Sequence, residues 1–216
     1  MLISTSILSA DFLNLGMEID DIISAKTDWI HCDIMDGSYV ESISFGHNVV
    51  KNVNVVKGCL KIDTHLMVNY PERQIDKYLK YSDFITIHSD SISDFKVEEL
   101  LLKIKNSGVK CGLAIKPKED IFLIEKYLNL LDLLLIMSVE PGLGGQLFIE
   151  NSLEKIKIAK DIIDRSGRDI LISVDGGVNN LNSAKIKSCG ANVLVCGSYI
   201  FQNNNYNEAI KSLKDV

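Results

Sequence analysis

A histidine and a carboxylate stand two residues apart in the apolar run Ile30-His31-Cys32-Asp33-Ile34-Met35-Asp36-Gly37. If this run is a β-strand, His31 and Asp33 project to the same side, because residues two apart on a strand share a face. Cys32 then faces the other way. An imidazole and a carboxylate are costly to bury unless they have partners. The pair therefore indicates either a metal or acid/base site, or a single buried hydrogen bond between the two side chains.

Segments of strand and helix character alternate along the whole chain. The predicted strands are residues 2–8, 28–34, 60–66, 83–88, 110–115, 132–139, 169–175 and 192–196. The predicted helices are residues 13–25, 47–56, 71–80, 97–106, 117–129, 153–164 and 184–188, with a last pair of short helices near the C-terminus. Residues 47–56 are rich in valine, which favours a strand, but the valines recur at helical spacing and we follow the period.

This alternation predicts parallel βαβ units. Eight such units in 216 residues favour a closed (β/α)8 barrel of the TIM type over an open doubly wound sheet. No G-x-G-x-x-G follows the first strand, which argues against a dinucleotide-binding sheet. No linker or change in composition divides the chain, so we expect residues 1–216 to form one barrel domain.

Composition excludes several classes of partner. The formal net charge is -6 and no run of basic residues is present, which leaves no electrostatic basis for binding nucleic acid. The most apolar run, residues 128–139, contains Asn129 and Asp132 and is too short to span a membrane. The five cysteines are odd in number and show no C-x-x-C spacing, as is typical of reduced core residues in a cytoplasmic protein.

Polar side chains collect at the carboxyl ends of the predicted strands, where (β/α)8 barrels carry their catalytic groups. These ends carry Ser6, His31, Asp33, Asp63, His65, His88, Met137, Asp175 and Gly197. Two imidazoles and two carboxylates from strands two, three and seven can meet there and form a common ligand set for Zn²⁺, Fe²⁺, Mn²⁺ or Co²⁺. His88 has no partner that the sequence identifies, and His47 is expected at the surface. Met35, Met67 and Met137 are either core residues or an apolar wall that excludes water.

Glycine is dense in the loops after the last three strands. These loops contain Gly142, Leu143, Gly144 and Gly145, then Gly176 and Gly177, then Gly197 and Ser198. Barrels frequently bind phosphate with the loops after strands seven and eight, and glycine lets backbone N–H groups approach an anion closely. One pair alone would be an ordinary turn, but three such loops together indicate a bound phosphate.

Several long motifs resemble those of ribulose-phosphate 3-epimerases, in the same order along the chain. They are Ser4-Thr5-Ser6-Ile7-Leu8-Ser9-Ala10-Asp11, His31-Cys32-Asp33-Ile34-Met35-Asp36-Gly37, Asp63-Thr64-His65-Leu66-Met67-Val68, Ile136-Met137-Ser138-Val139-Glu140-Pro141-Gly142-Leu143-Gly144-Gly145-Gln146, Val174-Asp175-Gly176-Gly177 and Val195-Cys196-Gly197-Ser198. The resemblance implies a metal-dependent enzyme that interconverts D-ribulose 5-phosphate and D-xylulose 5-phosphate in the pentose phosphate pathway. It also implies a homo-oligomer, because the family commonly forms dimers or hexamers.

The same resemblance implies a role for each matching residue. The metal ligands would be His31, Asp33, His65 and Asp175, and the two acid/base groups would be Asp33 and Asp175. The substrate would contact Ser6, His65, Asp175 and the three glycine loops. Met35, Met67 and Met137 would form the wall of the pocket.

The chain departs from the family in the loop after the second strand. It reads Ser38-Tyr39-Val40-Glu41-Ser42 where the family usually reads His-Phe-Val-Pro-Asn, and Thr5 stands where the family usually has Pro. The altered loop leaves open an epimerase for a hexulose 6-phosphate. A non-catalytic sugar-phosphate-binding barrel is a further alternative, although a binder has no need of both Asp33 and Asp175. A metal-dependent hydrolase is disfavoured because no His-x-His ends the first strand.

Overall fold

A closed barrel of eight parallel strands forms the centre of the computed structural model, which describes residues 1–92 and 94–215. The strands are β1 Leu2–Ser6, β2 Trp29–Met35, β3 Lys61–Met67, β4 Phe84–His88, β5 Lys110–Ile115, β6 Leu133–Met137, β7 Leu171–Asp175 and β8 Val193–Cys196. They follow one another around the barrel in chain order, and β1 closes the ring by pairing with β8. The predicted (β/α)8 barrel is confirmed.

Helices join most of the strands. In the described residues they are α1 Leu15–Ser24, α2 His47–Val56, α3 Asp94–Asn106, α4 Ser152–Ser166, α5 Ser183–Ser188, α6 Ser198–Phe201 and α7 Tyr206–Lys214. The helix predicted from the valine period at 47–56 is confirmed, and it buries Val50 and Val53 on one side. None of the helices within the described ranges is long and apolar enough to cross a membrane.

Two of the predicted helices, at 71–80 and 117–129, are not continuous α-helices. The chain forms short 3-10 segments there instead, at Pro71–Arg73, Ile75–Lys77 and Ile121–Lys126. In the second region the buried residues are Ile121, Ile124 and Tyr127, which recur every three positions. That spacing matches the three residues per turn of a 3-10 helix, so a tight turn buries all three side chains against the barrel.

Strand residues alternate between a core inside the barrel and a core between the strands and the helices. Trp29 and Phe84 stack inside the barrel with ring centroids 4.5 Å apart, at the amino end of their strands. Cys32 faces outward into the larger core, as the alternation predicts. Further along β2, the inward positions become polar at His31 and Asp33. The cysteines are mostly core residues, since Cys32, Cys111, Cys189 and Cys196 are buried and Cys59 is exposed.

Four residues clamp neighbouring strands together at the amino end of the barrel, and we call them the clamp residues. They are Asp28, Asp83, Asp132 and Asn192, each directly before an even-numbered strand. Each side chain accepts a hydrogen bond from a backbone N–H of the preceding strand, and each clamp N–H donates to the carbonyl of that same partner. The partners are Ile3, Ile62, Cys111 and Ile172, at side-chain distances of 2.8, 2.8, 3.1 and 2.8 Å. These reciprocal pairs fix the register between the strands.

The acidic clamp residues also bind lysines. In each ion pair the distance runs from the lysine Nζ to a carboxylate oxygen. It is 2.8 Å for Lys214 and Asp28, 2.9 Å for Lys57 and Asp83, and 3.1 Å for Lys110 and Asp132. Burial by itself would raise the pKa of Asp132, but the N–H of Cys111 and the neighbouring lysines lower it below the usual value. Ionised Asp132 therefore stabilises the fold.

We expect Asp132→Ala to lower the free energy of unfolding by about 1–3 kcal/mol at neutral pH, because the N–H of Cys111 loses a charged acceptor. Asp132→Asn keeps an acceptor, as Asn192 does naturally, and should cost less. Since the folded pKa of Asp132 is lowered, its contribution is complete above the unfolded value and is lost as the pH falls through the folded one. The Asn variant should therefore lose less stability than the wild type on acidification. Urea unfolding at pH 6 and pH 3 measures both effects, and equal stability of Asp132→Ala and wild type at pH 6 would refute the clamp.

Candidate active site

Four ionisable side chains meet at the carboxyl end of the barrel. They are His31 and Asp33 of β2, His65 of β3 and Asp175 of β7. One nitrogen or oxygen atom from each lies within 4.8 Å of those of the other three. The register brings Asp33 directly beside His65 on the neighbouring strand. We call these four residues the His/Asp cluster.

The distances within the His/Asp cluster suit a small divalent cation. Asp33 Oδ1 lies 3.2 Å from His31 Nε2 and 3.1 Å from His65 Nδ1. Asp175 Oδ2 lies 3.8 Å from His31 Nε2 and 3.7 Å from His65 Nδ1. Ligand atoms around a tetrahedral ion with bonds of 2.0–2.2 Å are separated by about 3.3–3.6 Å, which is close to these four distances, so the donor set fits such an ion.

The electrostatics of the cluster also favour a positive charge. Burial raises the pKa of Asp175 to about 6, and the charge of Asp33 adds to the effect. Burial would also raise the pKa of Asp33, but His31 and His65 hold it well below its usual range. Burial would lower the pKa of His31, yet Asp33 and Asp63 raise it well above its usual value. A bound cation would supply the positive charge that protons otherwise provide here.

Asp63 has a role that the sequence did not assign to it. Its Oδ2 lies 2.7 Å from His31 Nδ1, so the carboxylate accepts that N–H and leaves Nε2 of His31 directed at the cluster. Carboxylates that orient a ligating imidazole in this way raise its basicity and its affinity for metal. The signal was present in the sequence, because Asp63 shares a strand face with His65, but the partner of Asp63 depends on the register between β2 and β3.

A pocket opens above the His/Asp cluster. The predicted site residues that line it are Ser6, Asp33, Met35, Met67, Met137, Gly142, Leu143, Gly144, Gly145, Asp175, Gly176, Gly177, Gly197 and Ser198. His31 and His65 are fully buried beneath it, and neither is among the described residues that line it. The substrate contact predicted for His65 therefore stays a prediction, as do the substrate contacts of the lining residues.

Ser6 lies where β1 ends, because the chain turns at Ile7–Ser9 instead of continuing the predicted strand to residue 8. Its hydroxyl donates to Asp33 Oδ2 at 2.7 Å. One oxygen of Asp33 is therefore held by Ser6 while the other faces the imidazoles. The carboxylate has a fixed orientation at the floor of the pocket.

The glycine loops pack closely around the pocket. Gly177 has a φ of +64°, and a Cβ there would lie 2.4 Å from the backbone nitrogen of Phe148. Gln146, whose role the sequence did not reveal, donates through Nε2 to the carbonyls of Glu140 and Leu143 at 2.7 and 2.8 Å. This side chain closes the loop that presents Gly142, Leu143, Gly144 and Gly145.

The loop that departs from the family pattern lies beside this pocket. Tyr39 and Val40 line an adjoining cavity together with Lys116 and Glu140. Val40 packs so close to Gly142 that a Cβ on the glycine would lie 3.0 Å from the valine Cβ. The loops after β2 and β6 therefore touch across the mouth of the barrel.

Comparison with known proteins gives a consistent family. The model of the ribulose-phosphate 3 epimerase family matches residues 2–201. A ribulose-phosphate 3-epimerase of Buchnera aphidicola subsp. Baizongia pistaciae is 40% identical over 218 residues, which cover 100% of this chain and 95% of that protein. The ribulose-phosphate 3-epimerase of Bacillus subtilis is 39% identical, with 98% of this chain and 97% of that protein covered.

A plant relative and a solved structure extend the comparison. The chloroplastic ribulose-5-phosphate-3-epimerase of Arabidopsis thaliana is 39% identical, with 99% of this chain and 76% of that protein covered. The crystal structure of 3-hexulose-6-phosphate synthase from Salmonella typhimurium superposes with a TM-score of 0.73 at 15% identity, covering 100% of this chain and 97% of that one. At that identity the likeness shows a shared barrel fold alone.

We expect Asp63→Asn to weaken the binding of Co²⁺ by about 10–100-fold, because His31 loses the charged acceptor that orients it. A competition titration with a chelating dye measures the dissociation constant. Asp132→Asn is the matched control, since it makes the same exchange at the opposite end of the barrel and should leave Co²⁺ affinity unchanged. Wild-type affinity in Asp63→Asn would remove Asp63 from the support of the site.

Proposed function

Because the chain belongs to the ribulose-phosphate 3 epimerase family, we propose that it interconverts D-ribulose 5-phosphate and D-xylulose 5-phosphate, a step of the pentose phosphate pathway. The observation that carries the proposal is the placement of two carboxylates, Asp33 and Asp175, in one pocket above two buried imidazoles. The carboxylates come from β2 and β7, which β8 and β1 separate around the barrel. They therefore approach a bound ligand from different directions.

Epimerisation at carbon 3 requires a proton to leave one face of the sugar and another to reach the opposite face. The neighbouring ketone acidifies this proton, and two carboxylates on opposite faces can act as base and acid. We assign these roles to Asp33 and Asp175, which exchange them when the reaction reverses. Ser6 supports the assignment, because its bond to Asp33 Oδ2 keeps this carboxylate in one orientation.

His31, Asp33, His65 and Asp175 would hold a divalent cation. When bound, it supplies positive charge that stabilises the negative charge developing on the substrate oxygens. Two imidazoles and two carboxylates accept Zn²⁺, Fe²⁺, Mn²⁺ or Co²⁺, so the donor set leaves the choice of metal open.

The rest of the pocket would bind and shield the sugar phosphate. Backbone N–H groups of the three glycine loops are assigned to the phosphate, and Met35, Met67 and Met137 to an apolar wall that keeps water from the reacting carbon. We further propose that residues 1–216 act as one barrel domain within a cytoplasmic homo-oligomer, as the family resemblance implies.

Incubation with D-ribulose 5-phosphate in D₂O tests the function. Protein loaded with Fe²⁺, Mn²⁺, Co²⁺ or Zn²⁺ should place deuterium at carbon 3 while D-xylulose 5-phosphate appears, as followed by proton NMR. Binding of the sugar phosphate without exchange under any of these metals would favour the non-catalytic barrel instead.

The same assay with a hexulose 6-phosphate separates the second enzymatic candidate. The observation that favours this candidate is the adjoining cavity beside Tyr39 and Val40, which shares Gly142 with the main pocket. A higher kcat/KM for the six-carbon sugar would replace the pentulose assignment. We expect the five-carbon sugar to be preferred.

We expect Asp175→Asn to lower kcat by about 10²–10⁴-fold, because an amide cannot exchange the proton that a carboxyl group exchanges. The fold should be retained, since the side chain of Asp175 is 17% exposed, at the pocket end of β7, and an amide has nearly the same volume. Circular dichroism and the thermal midpoint check the fold, and Asp132→Asn serves again as the matched control. Full turnover in Asp175→Asn would exclude this residue from the proton transfer.

A further inference from the structure

His88 contacts a member of the His/Asp cluster but is not part of it. Its Nε2 lies 2.8 Å from Nε2 of His65, and the two rings stack with centroids 5.0 Å apart. Both side chains are completely buried. His88 is not among the described residues that line the pocket, so direct contact with a substrate does not explain its position.

The two ring nitrogens of His65 constrain the protons of this pair. Nδ1 of His65 faces Asp33 and Asp175, so it can bind a cation only if its lone pair is free. The single proton of the neutral ring then lies on Nε2, directed at His88. Nε2 of His88 must accept that proton, and His88 carries its own proton on Nδ1. The opposite arrangement would place a proton on Nδ1 of His65 and block it as a ligand.

The two imidazoles of the cluster thus have different outer partners. His31 donates its outer N–H to the carboxylate of Asp63, whereas His65 would donate its outer N–H to the imidazole of His88. A carboxylate can only accept, so it fixes the tautomer of His31 by itself. An imidazole can donate or accept through the same nitrogen, so His88 accepts from His65 only while it keeps its own proton on Nδ1.

Tyr39 packs against His88 from the loop that departs from the family pattern. The ring centroids are 5.0 Å apart, and the Tyr39 hydroxyl donates to Asp90 Oδ1 at 2.6 Å. Asp90 also forms an ion pair with Lys116. Nδ1 of His88 has no hydrogen-bond partner among the described residues, so ring contacts with His65 and Tyr39 hold this side chain.

We propose that His88 is a positioning residue that accepts the Nε2–H of His65 and thereby presents the Nδ1 lone pair of His65 to the cation. The proposal deepens the proposed function, because it requires the His/Asp cluster to bind a divalent ion. It assigns to His88 no contact with substrate or with the ion.

Equilibrium binding of Co²⁺ alone, without substrate, tests this role. His88→Phe keeps a ring but removes the acceptor, and it should weaken Co²⁺ binding by about 10–100-fold. His88→Gln places an amide oxygen near the position of Nε2 and should restore most of the affinity. His47→Gln, at the start of α2 and outside the cluster, is the matched control and should bind Co²⁺ as the wild type does.

The outcomes separate this inference from the function on which it rests. Wild-type protein that binds no Co²⁺ would overturn both the cation site and the role of His88. Unchanged Co²⁺ affinity in His88→Phe would overturn the role of His88 alone. Equal losses in His88→Phe and His88→Gln would also overturn it, because they would show that ring packing rather than the acceptor matters.

A spectroscopic measurement on the wild type avoids dependence on the variants. Nitrogen-15 NMR of the Zn²⁺-loaded protein, labelled at histidine, reports which ring nitrogen carries each proton. We expect a proton on Nε2 of His65 and none on Nε2 of His88. A proton on Nε2 of His88 would refute the proposal even if every variant failed to fold.

Discussion

Burial of imidazole and carboxylate side chains together inside the barrel is the constraint on which the rest of the structure depends. His31, Asp33, Asp63 and His65 are at most 4% exposed, and an uncompensated charge at such positions would cost several kcal/mol. The chain meets this constraint because histidine and aspartate occur in opposite order on the two neighbouring strands. His-x-Asp on β2 faces Asp-x-His on β3, so each imidazole has a carboxylate both along its own strand and across to the next. Imidazole and carboxylate thus alternate both along the strands and across them, and no two groups of the same kind are adjacent among these four positions.

Such an alternation survives only in one register. A slip of β2 by one residue would turn His31 and Asp33 out of the barrel and bring Cys32 inside. Asp28, the clamp residue directly before β2, opposes that slip from the amino end through its reciprocal hydrogen bonds with Ile3 of β1. Asp83 ties the start of β4 to Ile62 of β3, the residue directly before Asp63, and so fixes the register of β3 with β4. Asp28 and Asp83 therefore hold β2 and β3, the strands that carry His31, Asp33 and His65, in register with β1 and β4.

The barrel, the strand order and the meeting of His31, Asp33, His65 and Asp175 could be predicted from the sequence, because alternation and strand ends are local patterns. The 3-10 helices could not be predicted, since the 3.6-residue period of an α-helix and the three-residue period of a 3-10 helix differ little over so few residues. The hydrogen-bond partners of Asp63 and His88 could not be predicted from the sequence either. They depend on how far one strand is displaced along its neighbour, and His88 meets His65 diagonally across β3 and β4 rather than at the paired position.

The glycines connect packing to the proposed chemistry. Their density was interpreted as a phosphate cradle, yet Gly176 and Gly177 have a structural reason that needs no ligand, since added Cβ atoms would lie 2.4 Å from Val139 and from the backbone of Phe148. Gly197 is similar, with Ser9 Oγ at 2.9 Å. The same glycines line the pocket above the His/Asp cluster. An anion site made of backbone N–H groups requires the same absence of side chains, so the glycines that packing requires are also compatible with the proposed phosphate site.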